Sequence, residues 1–580
     1  MFCEDEGEEG KLMVILPKKA VQKMQAYDAP AENRRQHVKL DMNENTELLA
    51  GSVSPLPPSW IHTYPEYDEY TARLAESLGL QASQVILTNG SDEALWILAQ
   101  TFIEPQLDYA VVNKPTFSVI VSSLQIAGAN ITQVPVKPDL SFDIKAIERA
   151  LILGPKMAIF ASPDNPTGGL LEPAQVSKWC KRFKDTLFVV DEAYAEYSGV
   201  SYISLLQKHS NLLITRTLSK AWGLAGLRLG AIFGDPQLLE YLKRVRLPYS
   251  VNAAAVWMAQ RMLDRKDEVL AAARATMDRK DYLIASLEER GYSVTAGAGN
   301  FFLLGVGLNA HAFTEFLRAR GILVRNRSEG HRPGESALWG QVRVSIGTDK
   351  ENEKFLKAVD DFNLSYGVAF DLDGTLVDTT KSFDKAIEQL VHKYTGDKLS
   401  PKELVDLRLQ GGFNDCWDAC VELLRRRGVI TTRAELEPEA FEVYVKLARV
   451  HEKLLIDLQL LERLRMRHPL FIVTGRARYE YEPLWGETFN SLCARVYCMH
   501  DLKGKAPKPA PDYLQAVKKD FKLRQGIYIG NSIDDMWSAR DAGFGRIAVT
   551  TTLPAEKLKE AGAEYAFAGP DSIKEVFLLL

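Results

Sequence analysis

In "NLLITRTLSKAWGLAGLRLGAIFG", residues 211–234, two short apolar runs enclose a polar, glycine-rich segment that carries one lysine, Lys220. Both runs are short and rich in residues that suit a buried strand. Similar runs recur upstream at "SQVILTNG", "DYAVVNKP", "KMAIFASP" and "LFVVDEAY", separated by helical patterns such as "DEALWILAQTF" and "AQVSKWCKRFKD". This alternation predicts an α/β fold with a parallel sheet covered on both faces. Several runs end at Gly, Asn, Asp or Ser, where ligands meet an open sheet of this kind. From about residue 250 the pattern turns helix-rich and then to "NFFLLGVG", "GILVRNRS" and "QVRVSIGT", which predicts a smaller α+β domain.

The 580 residues exceed what one core supports, so several compact units are expected. A net charge of -5, with 46% hydrophobic and 25% charged residues, gives no electrostatic reason to expect nucleic acid. The six cysteines are scattered without zinc-site spacing and read as free thiols of a reducing compartment. "MFCEDEGEEG" lacks the basic start of a signal peptide, and no apolar run approaches the ~20 residues of a membrane span. The expectation is a multidomain cytoplasmic protein with no membrane partner.

A second α/β unit is expected from "YGVAFDLDGTLVDTT", residues 366–380, after a short polar link, "DDFNLSYG". Its strand candidates are "YGVAF", "HPLFIVTG", "GIYIGN" and "FGRIAVTT". Between the first two lie about ninety residues of helical periodicity, which reads as an inserted cap. The spaced acids at its start do not make a calcium loop. Counted from Asp371, Gly374 stands at position four rather than six, and position twelve is Ser382 rather than Glu.

Four motifs precede this unit in order: "LTNGSDEALW" (87–96), "SPDNPTGG" (162–169), "VVDEAYAEY" (189–197) and "RTLSKAWGLAGLRLG" (216–230). A Ser-Lys pair alone reads as a solvated turn. Together the four resemble the fold-type I, class I/II aminotransferases that use pyridoxal 5'-phosphate, over most of residues 15–360. The resemblance implies an aminotransferase over 1–364, with a large domain at about 38–248 and a small domain made of the N-terminal arm plus about 250–364. It implies that Lys220 binds the cofactor aldehyde and then moves the substrate α-proton. Asp191 pairs with the pyridine nitrogen, while Asn165 and Tyr194 reach the ring oxygen. Gly90, Ser91 and Asp92 at a helix start, with Thr217, Ser219 and Arg228, cradle the phosphate. Phe117 stacks on the ring, where core packing is its plainer role.

"VKLDMNENT" (38–46), "YPEY" (64–67), "GILVRNRS" (321–328) and "VRVSIGT" (342–348) are similar to the histidinol-phosphate aminotransferase branch. That branch implies a homodimer in which Tyr64 reaches the cofactor phosphate of the partner subunit. Arg325 and Arg343 would receive a substrate phosphate or the carboxylate of glutamate and 2-oxoglutarate, and Tyr27 and Asn45 would line the pocket.

"DLDGT" after a strand, Thr474 in "FIVTGR", Lys508 in "KAPKPAPDYL" and Asp535 in "YIGNSIDDMWSARDAG" resemble the haloacid-dehalogenase superfamily over residues 366–580. The implied domain has a Rossmann-like core at 365–378 and 466–580 and a helical cap at 379–465. In that family's chemistry Asp371 is the nucleophile and Asp373 protonates the leaving oxygen, then activates water. Thr474 and Lys508 bind phosphoryl oxygens, and Mg2+ is held by Asp371, the Asp373 carbonyl and a motif here containing Asn531 and Asp535. The family normally has Asp where this chain has Asn531. The combined expectation is a bifunctional enzyme of histidine biosynthesis: transamination of imidazole-acetol phosphate with glutamate, then removal of the phosphate to give histidinol. The motifs leave open an aminotransferase for another aromatic or phosphorylated amino acid with an unrelated phosphatase, or a C-terminal domain that senses a phosphometabolite without hydrolysing it.

Overall fold

The computed structural model describes residues 34–47, 56–410, 413 and 415–579, so Tyr27 lies outside the described residues. Seven strands form the first sheet: β1 (Val85–Thr88), β2 (Tyr109–Lys114), β3 (Asn130–Pro135), β4 (Met157–Ala161), β5 (Leu187–Asp191), β6 (Leu212–Thr217) and β7 (Gly230–Gly234). Their order is β1-β7-β6-β5-β4-β2-β3. Successive side chains go to opposite faces. Phe188 and Val190 enter one apolar cluster and Leu187 and Val189 the other, and β1, β4, β6 and β7 divide in the same way. That two-sided burial is what the continuous apolar runs predict.

The expectation of an all-parallel sheet fails at β7, which pairs antiparallel with both β6 and β1. Between β6 and β7 the connection holds only a one-turn 3-10 helix, Ala225–Leu227, with no crossover helix to return the chain to the starting edge. Strand β3 has no counterpart among the predicted runs. Its sequence, NITQVP, is largely exposed at the sheet edge and lacks an apolar pattern. Helix α1 (Gly90–Phe102) follows β1 closely, and Gly90 adopts φ +76°, where a Cβ would sit 2.7 Å from Arg228 Nη2. Only glycine suits that position.

The small domain packs the long helix α2 (Lys266–Glu289) on a sheet of β8 (Ser293–Thr295), β9 (Phe301–Gly305), β10 (Arg325–Asn326) and β11 (Gln341–Ser345). The strand order is β10-β11-β9-β8 with antiparallel pairing throughout. Val38–Lys39 pairs in parallel with Ile322–Leu323, so this early segment joins the small domain.

Helix α3 (Asp349–Ser365) starts at a Thr348/Glu351 capping box and runs directly into β12 (Tyr366–Phe370). "DDFNLSYG" is therefore no polar link. Phe362 and Asn363 are buried, Tyr292 donates to Asn363 Oδ1 at 2.6 Å, and the Tyr366 ring stacks on Phe362 at 5.5 Å.

After β12 come β13 (Val377–Asp378), the helices α4 (Phe383–Thr395), α5 (Pro401–Arg408), α6 (Cys416–Arg426) and α7 (Arg433–His451), then β14 (Lys453–Leu454). Strands β13 and β14 form an antiparallel ribbon joining the helical insertion to the rest. The four helices bury their own cluster around Phe383, Trp417 and Tyr444. Helix α8 (Leu458–Arg467) instead buries Leu460, Leu461 and Leu464 in the main core, so the insertion returns at Lys453 rather than at residue 465. The sheet is completed by β15 (Leu470–Ala477), β16 (Arg495–Met499), β17 (Gln525–Gly530), β18 (Gly545–Val549) and β19 (Tyr565–Phe567), with order β16-β15-β12-β17-β18-β19. Every pair in it is parallel.

One apolar cluster contains Phe302, Leu304, Val344, Phe355 and Val359 of the small domain together with Val368, Phe370, Ile472 and Ile529 of this sheet. Arg467 is buried in that seam. Its guanidinium donates to the carbonyls of Gly291 (2.7 Å), Phe577 (2.5 Å), Leu578 (3.2 Å) and Gly305 (3.4 Å), and it lies over the Tyr292 ring. Burial lowers its pKa to about 10. Arg467→Ala would strand these carbonyls and is expected to destabilise the fold by on the order of 3 kcal/mol. In chemical denaturation, the small domain and the sheet of β12 should unfold together at a lower denaturant concentration than in the parent.

Candidate active sites

The first site lies at the carboxyl ends of β4, β5 and β6, which deliver Asn165, Asp191 and Lys220 to one edge of the sheet. Lys220 Nζ donates to the Met42 carbonyl at 2.9 Å, and Asn45 Nδ2 donates to the Ala221 carbonyl at 3.1 Å. Burial, with the Arg343 guanidinium nearby, lowers the Lys220 pKa to about 8. Asp191 is buried and accepts from Thr215 Oγ1 at 2.8 Å, and burial pushes its pKa up to about 7. Among the described residues no basic side chain pairs directly with it. A cationic N–H donor would fit it.

Arg343 bridges the two domains. It donates to Asn165 Oδ1 at 2.5 Å and to the Asp41 carbonyl. Tyr194 accepts from Asn43 Nδ2 at 2.9 Å, and Asn43 Oδ1 accepts from Ser345 Oγ at 2.6 Å. Arg325, Arg343, Asn165 and Phe117 line one small cavity with Thr116. Thr217 Oγ1 donates to Ser219 Oγ at 2.9 Å, and Arg228 reaches Ser219 Oγ (3.2 Å) and Asp92 Oδ2 (2.8 Å) beside the α1 N-terminus. The chemistry of that donor set, helix N–H groups, hydroxyls and a guanidinium, fits a phosphate. Tyr64 stands apart: it is 75% exposed and stacks on Tyr249. Asn43, Ser345 and the Met42 carbonyl were not among the predicted residues. Asn43 and the Met42 carbonyl come from an N-terminal segment whose approach to Lys220 is set by small-domain pairing, and Ser345 ends β11 of that domain.

The second site gathers at the carboxyl ends of β12, β15 and β17. Lys508 Nζ bridges Asp371 Oδ1 and Asp535 Oδ1, each at 2.7 Å, and donates to Tyr528 OH at 3.0 Å. Burial and the neighbouring Asp535 and Asp373 charges push the Asp371 carboxyl up against the pull of Lys508. Burial alone would lower Lys508, but the two carboxylates hold its ammonium well above the usual range. Asp373 Oδ1 accepts from Arg476 Nε at 2.7 Å, and Thr474 Oγ1 lies 3.4 Å from Asp373 Oδ2.

Asp535 does not have the place predicted for a metal ligand. It is the third helical residue of α9 (Ile533–Ala542), and its Oδ2 accepts from Asn531 N, Ser532 N and Ser532 Oγ in a capping box while Oδ1 takes Lys508. Asp534, one residue earlier, lines the cleft instead, with Asp373, Gly374 and Asn531. The Asn531 side chain is held by Thr375 Oγ1 at 3.3 Å and by Thr552. The cleft, ≈ 230 Å³, is lined on the cap side by Asp384, Arg408, Phe413 and Cys416. Among the described residues no group of three or more His, Cys, Asp or Glu forms a ready metal cage. Oxygen donors from Asp371, Asn531 and Asp534 still fit Mg2+, which keeps waters and uses substrate phosphate to complete its shell.

Residues 56–359 match the family described as aminotransferase class I and II. The chain belongs to that family. Residues 368–549 match the haloacid dehalogenase-like hydrolases, so a second enzyme domain follows the aminotransferase. A histidinol-phosphate aminotransferase of Symbiobacterium thermophilum is 33% identical over 330 residues, spanning 56% of this chain and 89% of that protein. Histidinol-phosphate aminotransferase 1 of Mesorhizobium japonicum is 33% identical over 352 residues, spanning 58% and 92%. The solved structure of histidinol-phosphate aminotransferase from Sinorhizobium meliloti in complex with pyridoxal-5'-phosphate shares the fold, with a TM-score of 0.52 at 22% identity over 59% of this chain and 95% of that one. Among the described residues no helix is long and apolar enough to cross a membrane.

The lowered Lys220 pKa has a measurable sign. In the cofactor-free protein its amine should be neutral above about pH 8 and protonated below. Labelling of Lys220 by an amine reagent should therefore be half-maximal near pH 8, and Arg343→Leu, which removes the nearby cation, should move that midpoint upward.

Proposed function

We propose that the two sites run consecutive reactions of histidine biosynthesis: imidazole-acetol phosphate and glutamate give histidinol phosphate and 2-oxoglutarate, and histidinol phosphate is then hydrolysed to histidinol. The observation that carries this reading is the sharing of one core by an aminotransferase whose relatives are named for a phosphate ester and a haloacid dehalogenase-like hydrolase fold.

In the first site the cofactor is pyridoxal phosphate, which when bound supplies the electron sink that makes the substrate α-proton acidic. Lys220 Nζ takes that proton as a neutral amine and redelivers it. The buried Asp191 carboxylate offers its charge to a protonated ring nitrogen. Arg325 and Arg343 orient the carboxylate or phosphate of the substrate by planar, paired donors. The exposed side chains of Ile61, Tyr64, Leu247 and Tyr249 support association into a homodimer through this face.

In the second site an Asp371 oxygen attacks phosphorus as the ester P–O bond breaks, and Asp373 gives a proton to the leaving alkoxide oxygen. The Asp373 carboxylate then takes a proton from water as the water oxygen attacks phosphorus. The bond to Asp371 breaks, and inorganic phosphate leaves. Thr474 and Lys508 hold phosphoryl oxygens. Mg2+, held by Asp371, the Asp373 carbonyl, Asn531 and Asp534, would offset phosphoryl charge. The unpaired state of the five described cysteines supports placing the enzyme in the cytosol.

A second reading, a domain that binds a phosphate ester without turnover, is favoured by Asn531, a neutral group at the position where charge would serve Mg2+. Purified protein supplied with imidazole-acetol phosphate, glutamate and Mg2+ decides between them. Histidinol and phosphate are the expected products. Asp371→Asn should stop at histidinol phosphate, and Lys220→Ala should lose transamination while still hydrolysing histidinol phosphate. Histidinol phosphate alone from the parent enzyme would favour the sensor, and no transamination would overturn the substrate assignment.

A further inference from the structure

Arg476 follows the threonine of "FIVTGR" by two residues and is fully buried, yet the reactions above give it no part. Its guanidinium faces three ways. Nε and Nη2 both reach Asp373 Oδ1, at 2.7 and 2.6 Å. Nη1 donates to Tyr444 OH at 2.5 Å, and Nη2 also lies 3.0 Å from Glu452 Oε1. The plane rests near the rings of Phe383 and Tyr444, at 5.1 and 5.6 Å from their centroids.

These partners belong to different bodies. Asp373 and Arg476 sit on the parallel sheet, whereas Phe383 opens the first cap helix and Tyr444 belongs to the last one. Glu452 immediately precedes β14 of the ribbon that joins cap to core. It ties both cap ends: Oε1 accepts from Ser382 Oγ at 2.8 Å and from Tyr444 OH at 3.1 Å, and Oε2 accepts from Trp485 Nε1 at 2.7 Å. A planar fork holds a carboxylate and two cap groups in fixed relative directions, whereas the donors of an ammonium rotate freely.

We propose that Arg476 is a positioning residue of the phosphatase, one that fixes the Asp373 carboxylate through Oδ1 only when Tyr444 and Glu452 hold it from the cap side. Oδ2 is then left toward Thr474 and the cleft, where Asp373 must pass a proton first to the leaving oxygen and later from water. Cap seating and proton transfer are joined at one guanidinium. The inference rests on the phosphatase reading of the second site.

Rapid-quench and steady-state hydrolysis of p-nitrophenyl phosphate and histidinol phosphate by the full-length protein test it, with transamination as the check that each variant is folded. Arg476→Lys should lower kcat about 10- to 100-fold with a smaller change in KM, the scale of a misplaced proton-transfer group. With p-nitrophenyl phosphate, whose leaving group needs no proton, it should also accumulate phosphate on Asp371, read as an acid-stable burst, because attack by water still needs the Asp373 carboxylate. Glu452→Gln, nearly isosteric, should lower kcat in the same direction and more weakly. A purely structural Arg476 would change stability without the burst or the kcat-selective loss. Parent turnover with both variants matching its kcat and showing no burst overturns the inference alone. A parent protein that releases no phosphate from either ester overturns the phosphatase reading, and the inference with it.

Discussion

The molecule depends on a seam without a linker. Helix α3 ends at Ser365 and β12 begins at Tyr366, so the last helix of one enzyme and the first strand of the other are one continuous piece of backbone. Two domains joined by a flexible tether keep separate cores and move independently. Here the apolar faces of the small-domain sheet and the hydrolase sheet enter one cluster, and buried Arg467 ties the carbonyls of both sides. The sheet that carries Arg343 and the sheet that carries Asp371 are thereby held in one packed body.

The two sites solve a similar electrostatic problem in opposite ways. In the first, buried Asp191 and half-buried Lys220 have no direct ion-pair partner among the described residues, and each shifts toward its neutral form. Such a site receives a charged ligand with its own groups still adjustable. In the second, Lys508 sits between two carboxylates and Arg476 between two others, so both cations are paired before any ligand arrives. Removing one partner from such a cluster leaves an uncompensated charge, which is why buried networks of this kind tolerate little change.

Much of this was legible in the sequence because strands buried on both faces leave unbroken apolar runs, and the catalytic side chains fall at the ends of those runs. Asp191 and Asp371 stand at the ends of such runs, whereas Lys220 and Lys508 were read from motifs that resemble known families. What escaped was information carried by pairing rather than by pattern. The reversal of β7 depends on what its connection lacks, and edge strand β3 has no apolar face to read. Adjacent Asp534 and Asp535 differ in role because helix geometry points them apart, although Ser532 three residues before Asp535 was a readable capping-box signal. Arg476 stood in a quoted motif, but its meaning comes from Tyr444 and Glu452 on a cap whose docking no local pattern encodes. The supposed polar link around Phe362 misled for a related reason: Asp360 and Asp361 dominate its composition, while Phe362 and Asn363 face inward.

The anchoring of residues 573–579 has a temporal side. Ser293 Oγ donates to the Leu578 carbonyl across 285 positions of chain, and Val576 and Phe577 crowd Gly307 of the small domain. During synthesis, the strands around Ser293 and Gly305 emerge long before the segment that covers them. The aminotransferase half must therefore wait, with part of its apolar surface open, until the hydrolase has been made and docked. A chain released before the hydrolase is complete would leave that part of the small domain uncovered.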